Sequence, residues 1–375
     1  MRIAFTTTFD AQDVHNWSGT PYHMSHALMN AGVGVDYIGS LSRKLPPMFK
    51  AKQIFKKYIC DTRESPRFNT TAAKYYSEQV AAKLGKLNVD AIVSPLVNPI
   101  AYLDCKQPII LWTDAVYAAL LGFYPPFAWH SADTIAQGNQ MTAECLSRCA
   151  YAVFSSDWAA NSAIELYGAS RDKVKVVPFG ANLDTAPDAA DVRSVILQRS
   201  SKTIKLLFLA KSWERKGGDV VLAVAKALHQ AGHSVELHVV GYTPPVSDLP
   251  PYVICHGFIS KHTPEGKLKI RRLLAESHFL FVPSRAEAYG IVFCEANAFG
   301  VPCLTTHVGG ISTIVKDNVN GMTFALDASV ERYCDYIVNV VSDDKRYAEL
   351  ANGAYNEFAT RLNWASAAEQ VKGLI

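Results

Sequence analysis

The sequence predicts an α/β protein built from two consecutive parallel-sheet units, and three observations carry that expectation. Short β-rich runs alternate with helical stretches along most of the chain, the pattern of parallel strands covered by helices. At 375 residues the chain is too long for one ordinary core and suits two. The alternation breaks once, near residues 180–202, and then restarts.

In the first half, strands are expected over residues 3–7, 33–38, 91–94, 109–112, 152–155 and 174–177, with helices near 22–30, 73–87, 134–146 and 158–167. Gly32 follows the first of these helices as a stop signal. The stretch 180–202 carries Pro187 and little strand character, and it reads as a link. Beyond it, strands are expected over 204–209, 235–240, 253–256, 279–282 and 301–305, and helices over 220–230, 268–275 and 292–298. Further helical stretches near 329–341 and 364–374 are not assigned to a unit by periodicity. The expected division is an N-terminal acceptor-side domain over 1–182, a linker over 183–202 and a donor-binding domain over 203–355. Residues 356–375 are expected to form a helix packing back on the first domain.

Composition narrows the function. Apolar residues make up 49% and charged residues 19%, an ordinary globular balance. Lys plus Arg against Asp plus Glu gives 37 − 34 = +3, so nothing global points to nucleic acid. The N-terminal Met1-Arg2-Ile3-Ala4-Phe5-Thr6 enters a strand directly, so no signal peptide is expected. The eight cysteines are scattered without a Cys-x-x-Cys, which fits buried thiols in a cytoplasmic enzyme. Lys50, Lys52, Lys56 and Lys57 interleave with Ile54 and Phe55. Peripheral contact with the inner face of the plasma membrane and a solvated helix face are the two readings of residues 50–57, and the solvated face is favoured.

Several chemistries lose ground on their motifs. Gly32-Val33-Gly34 precedes a strand and lacks a third glycine, so it is no dinucleotide fingerprint. There is no Walker sequence, no Asp-x-Asp and no His-Glu-x-x-His. What remains is Ser284-Arg285-Ala286-Glu287-Ala288-Tyr289-Gly290-Ile291-Val292-Phe293-Cys294-Glu295-Ala296, read as strand, loop and helix. Ligands of open α/β folds bind at such corners. Gly290 lets the backbone approach a ligand, and the N–H groups of Ile291 and Val292 suit a phosphate. Glu287 in the loop and Glu295 in the helix suit two hydroxyl contacts at different distances from that phosphate. A helix-cap charge and a buried salt-bridge partner are the structural alternative, and spacing leaves the two evenly matched.

This segment, followed by Gly300-Val301-Pro302 and Gly309-Gly310-Ile311, resembles the carboxy-terminal donor site of the GT-B retaining glycosyltransferases of family GT4 (glycosyl transferases group 1). Upstream, Leu209-Ala210-Lys211-Ser212-Trp213-Glu214-Arg215-Lys216-Gly217-Gly218 resembles the family loop in which Gly-Arg and then Lys-Gly clasp a pyrophosphate. Lys216 and Gly217 match, and Lys211 stands where Arg is usual, keeping charge while losing bidentate geometry. Trp17-Ser18-Gly19-Thr20 resembles the small-residue loop that approaches the donor phosphates, and Ser155-Ser156 and Val176-Val177-Pro178-Phe179-Gly180-Ala181-Asn182 resemble the closing strand and interdomain turn. The likeness spans most of the chain. Two positions depart from it: Thr113-Asp114 where many relatives carry His, and Thr313 where they often carry Glu.

The resemblance implies the GT-B fold, two Rossmann-like domains whose parallel sheets face each other across a deep cleft. It implies retaining transfer of a hexose-type sugar from a UDP- or GDP-linked donor to a saccharide or lipid-linked acceptor, without a metal and by front-side departure. In that picture Lys211, Lys216 and the amides at Gly290, Ile291 and Val292 take the diphosphate, with Gly19 approaching from the first domain. Glu295 holds the ribose and Glu287 the transferred sugar. Asp114 is a candidate hydroxyl contact, with a helix cap as its equal alternative. Tyr117, Tyr124, Trp129 and His130, in an aromatic stretch broken by Pro125-Pro126, are acceptor candidates. A nucleotide-sugar epimerase, a phosphorylase or a catalytically silent nucleotide-sugar-binding protein are the rival readings.

Overall fold

The computed structural model describes residues 1–43, 65–199, 202–245 and 248–375. The basic segment at 50–57 lies outside the described residues. The chain forms two units, Met1–Pro178 together with Trp364–Ile375, and Phe179–Asn363.

The first unit is a six-stranded, all-parallel sheet: β1 (Arg2–Thr6), β2 (Gly34–Ile38), β3 (Ala91–Ser94), β4 (Ile109–Thr113), β5 (Tyr151–Phe154) and β6 (Val174–Val176). Their order is β2-β1-β3-β4-β5-β6, so the winding reverses between β1 and β3. Every residue of β3 and β4 is buried, as expected for central parallel strands covered on both faces. The helices begin where a short polar side chain can take an orphan amide. Asn69 accepts from Ala72 N at 2.9 Å, Ser131 from Thr134 N at 3.2 Å and Ser156 from Ala159 N at 3.3 Å. The helix Trp364–Lys372 completes this unit. Trp364 meets Trp112 edge-on at 5.8 Å between ring centres and lies parallel to His23 at 6.5 Å, and Lys372 Nζ donates to the Ala31 carbonyl at 2.7 Å.

The second unit is also a six-stranded parallel sheet: β7 (Ile204–Leu209), β8 (Val235–Val240), β9 (Val253–Gly257), β10 (Phe279–Phe281), β11 (Cys303–Thr306) and β12 (Gly321–Phe324). Its order, β12-β11-β10-β7-β8-β9, is the doubly wound Rossmann arrangement, with the reversal between β7 and β10. Each unit is therefore Rossmann-like, as expected. Among the elements missed in the sequence are β12, the helices Ala189–Gln198 and Asp344–Thr360 and the short helices Tyr117–Leu120 and Ile311–Ile314. Residues 183–202, read as a link, include that first helix. Asp188 caps it by accepting from Asp191 N at 2.8 Å, and Val192 and Ile196 bury one face. A polar network ties the second unit's interior: Asn320 Nδ2 donates to Asn297 Oδ1 at 2.6 Å and to the Ile314 carbonyl at 2.9 Å. No helix among the described residues is long and apolar enough to cross a membrane.

Candidate active site

In a doubly wound sheet, the loops leaving the two strands at the reversal diverge and open a crevice at the strands' carboxyl ends. In the second unit these are the loops after β7 and β10, which carry Lys216 and Glu287. The loops are held in backbone contact. Gly217 has φ 72°, and a Cβ there would lie 2.2 Å from the Pro283 carbonyl oxygen, so only glycine fits. The Arg285 amide donates to the Arg215 carbonyl at 2.7 Å, and the Arg215 guanidinium donates to the Ala286 carbonyl at 2.8 Å. Arg285 in turn grips Asp219 through two bonds of 2.9 and 2.7 Å. Gly310 N–H donates to the Glu287 carbonyl at 3.2 Å, which gives the Gly-Gly motif a positioning role.

Two charges meet inside this frame. Lys216 and Glu287 are each only 8% exposed, and the Lys216 ammonium donates to Glu287 Oε2. The Arg215 guanidinium lies 3.6 Å from the same oxygen. Burial, and then the charge of Arg215, push the Lys216 ammonium down to about 7, while contact with the Glu287 carboxylate favours its charged form. The second cation beside Glu287 is thus Arg215, which the sequence reading passed over. Lys211 is exposed and holds its ammonium 5.5 Å over the ring of Phe258.

Beyond Glu287 the chain turns at Gly290, φ 97°, where a Cβ would strike the Phe293 ring at 2.6 Å. Gly290 caps the helix Ile291–Asn297 without a side-chain bond, so the Ile291 and Val292 amides belong to a first turn with no intrahelical acceptor. Glu295, one turn on, is 2% exposed and accepts from the Lys261 ammonium, a partner the sequence did not suggest. Tyr289 is buried, and its hydroxyl donates to the Phe179 carbonyl at 2.7 Å. Ser284 Oγ is buried with no hydrogen-bond partner among the described residues, a polar group left open beside the crevice. Thr313 is buried, at 8% exposure.

In the first unit, Asp114 closes β4. Burial pushes its carboxyl up to about 6, against the pull of its own amide and of Arg67. Tyr117 OH bonds His130 Nδ1 at 2.7 Å, and both rings pack with Phe68 and Phe127. Burial lowers the His130 pKa. Trp129 is 59% exposed, and Tyr124 meets Phe123 edge-on at 5.4 Å. After β1, Trp17, Ser18 and Gly19 take φ 45°, 56° and 83° in succession before the helix Thr20–Asn30. Two non-glycine residues in that region cost about 1–2 kcal/mol each, and such strain gathers at functional loops.

Residues 193–357 match the family model described as glycosyl transferases group 1. The D-inositol 3-phosphate glycosyltransferase of Xylanimonas cellulosilytica is 30% identical over 230 residues, 58% of this chain and 54% of that protein. The protein of the same name from Thermobifida fusca is 26% identical over 57% of this chain and 52% of its own length. The chain spans about half the length of the curated relatives it matches. Among solved structures, sucrose-phosphate synthase from Thermosynechococcus elongatus superimposes with a TM-score of 0.70 at 16% identity, covering 100% of this chain and 98% of that one. WaaG, a glycosyltransferase involved in lipopolysaccharide biosynthesis, gives 0.59 at 18% identity, with 100% and 99% covered. The Anabaena protein HepE, solved with UDP and glucose, gives 0.62 at 15% identity, with 100% and 98% covered. At these identities the structures establish a shared fold, the GT-B pair of Rossmann-like domains. Residues 193–357 are thus what ties this chain by likeness to the glycosyl transferases group 1 family, whose model they match.

Proposed function

We propose that the protein transfers a hexose-type sugar from a nucleoside diphosphate donor to a saccharide or lipid-linked acceptor, with retention at the anomeric carbon and without a metal. The observation that supports this most is the buried Lys216–Glu287 pair, with Arg215 beside it, at the crevice between β7 and β10. The bond from the anomeric carbon to the diphosphate breaks, and its electron pair leaves with the phosphate oxygen. Lys216, Arg215 and the first-turn amides of Ile291 and Val292 take up that charge, which each preorganised donor stabilises by about 2–4 kcal/mol. The acceptor oxygen bonds to the same face of the carbon, and its proton passes to the departing phosphate. Glu287 holds hydroxyls of the transferred sugar and accepts from Lys216 in the empty site; it is no nucleophile. Glu295 takes the ribose.

UDP- and GDP-linked donors both suit this reading; of the two, UDP is the one bound in the HepE complex. The acceptor is assigned to the first unit, where Asp114 offers a carboxylate near Arg67 and the Tyr117–His130 cluster with exposed Trp129 offers aromatic surface. A cytoplasmic setting suits a nucleotide-sugar donor. The test is turnover of UDP- and GDP-hexoses with candidate acceptors, the product anomer read by NMR. Lys216→Ala and Glu287→Ala each lose most transfer while staying folded. Near-normal turnover in Lys216→Ala, or a covalent glycosyl adduct on Glu287, overturns the reading.

A further inference from the structure

Lys261 lies in the loop after β9, while Glu295 sits in the helix after β10. These strands are not neighbours, for β7 and β8 stand between them. The β9 loop must therefore pass back over two strand ends, three strand spacings or about 14 Å, to bring its ammonium to that carboxylate.

The loop is built for that reach. Gly241 N–H donates to the Gly257 carbonyl at 2.8 Å, which anchors its start to the end of β8. At its far end, Thr263 caps the helix Pro264–Glu276 by accepting from Gly266 N at 3.2 Å, and a Cβ at Gly266 would lie 1.9 Å from the Ser260 carbonyl oxygen. The residue before Lys261 is thus fixed against the helix. Glu295 is 2% exposed, whereas the Lys261 side chain is 38% exposed. Lys261 is bound to Oε2, and Oε1 makes no hydrogen bond to the described residues.

We propose that Lys261 is a positioning residue of the donor site: it holds one oxygen of Glu295 so that the other faces a vicinal hydroxyl pair of the nucleotide ribose. This rests on the assignment of Glu295 to the ribose. A buried carboxylate without a cation is costly and shifts to a neutral or rotated state, which accepts from a hydroxyl poorly. With the ammonium in place the carboxylate is fixed in rotamer, and a hydroxyl donating to its second oxygen makes a charge-assisted bond. Lys261 itself touches no part of the nucleotide in this account.

The test is titration calorimetry on the full chain with UDP, GDP and their 2′-deoxy forms, for the unmodified protein and for Lys261→Met, Lys261→Arg and Glu295→Gln. The unmodified chain prefers the ribose form of its diphosphate by about tenfold or more. In Lys261→Met that preference falls to within about threefold, and Lys261→Arg restores it. Thermal melts confirm that each variant is folded, and a general loss of packing weakens ribose and deoxyribose forms alike, leaving the ratio unchanged. An unchanged ratio in Lys261→Met with a collapsed ratio in Glu295→Gln overturns the role of Lys261 alone. An unchanged ratio in Glu295→Gln, or no binding of either diphosphate to the unmodified chain, overturns the ribose assignment and this proposal with it.

Discussion

The buried ammonium of Lys216 makes donor binding and fold stability respond to pH in opposite directions. Its pKa is lowered to about 7 by burial and then by Arg215, from an ordinary 10.5. A diphosphate needs the charged form. Its terminal phosphate titrates near about 6 and is almost fully ionised above pH 7, so it adds little to the trend there. The protonated fraction of Lys216 falls from one half at pH 7 to about one hundredth at pH 9, which weakens nucleoside diphosphate affinity about fiftyfold. The Glu287 contact acts the other way, so fiftyfold is the upper figure. Stability of the ligand-free chain moves oppositely. Between about 7 and 10.5 the unfolded chain holds the proton that the folded chain has shed, so this group favours folding more as pH rises through that window. Calorimetry with UDP and GDP at constant ionic strength from pH 7 to 9 measures the first effect, and denaturant titration the second. Lys216→Arg keeps its charge throughout and flattens both profiles. A diphosphate affinity that changes less than about threefold over this range, with Lys216→Arg indistinguishable from the parent, refutes the reasoning.

Other consequences are sharper in stability than in binding. Gly217→Ala forces a left-handed alanine against the Pro283 carbonyl and costs about 2 kcal/mol or more in a denaturant melt, with transfer lost as the two loops part. Asp114 has a raised pKa, about 6 against 3.8, so its contribution to stability is present below 3.8 and lost as pH rises through 6. Asp114→Asn accordingly raises the melting temperature at pH 8, by up to about 3 kcal/mol of stability, while lowering transfer; an unchanged or lower melting temperature contradicts the burial argument. Tyr289→Phe removes the bond to the Phe179 carbonyl and costs about 1 kcal/mol, read as a small shift in denaturant midpoint.

Much of the fold was legible because parallel strands buried on both faces are continuous apolar runs, and β3, β4, β7 and β10 announce themselves in that way. Gly321–Phe324 did not: Met322 and Thr323 are half-buried, and the strand is held at the sheet's edge by backbone approach, with a Cβ at Gly321 falling 2.0 Å from the Cys303 carbonyl. The helix Ala189–Gln198 hid behind Pro187 and Asp188, which read equally as a link and as a helix start. Lys216 and Glu287 were found through local motifs, one in each loop. Arg215 stands next to Lys216, but its direction depends on the bond to Ala286, which no spacing reveals. Lys261 had no local signal at all, because its relation to Glu295 follows from sheet order.

The placing of Trp364–Lys372 in the first unit has a consequence for biogenesis. The second unit is one uninterrupted stretch of chain, whereas the first lacks the cover over Trp112 until a helix made after residue 363 arrives. Closing the first unit therefore needs a contact between residues far apart in the chain, which is slow to form because the loop-closure entropy comes first. Until that contact forms, the amino-terminal sheet keeps an apolar flank uncovered, and it is there that a chaperone would find its hold.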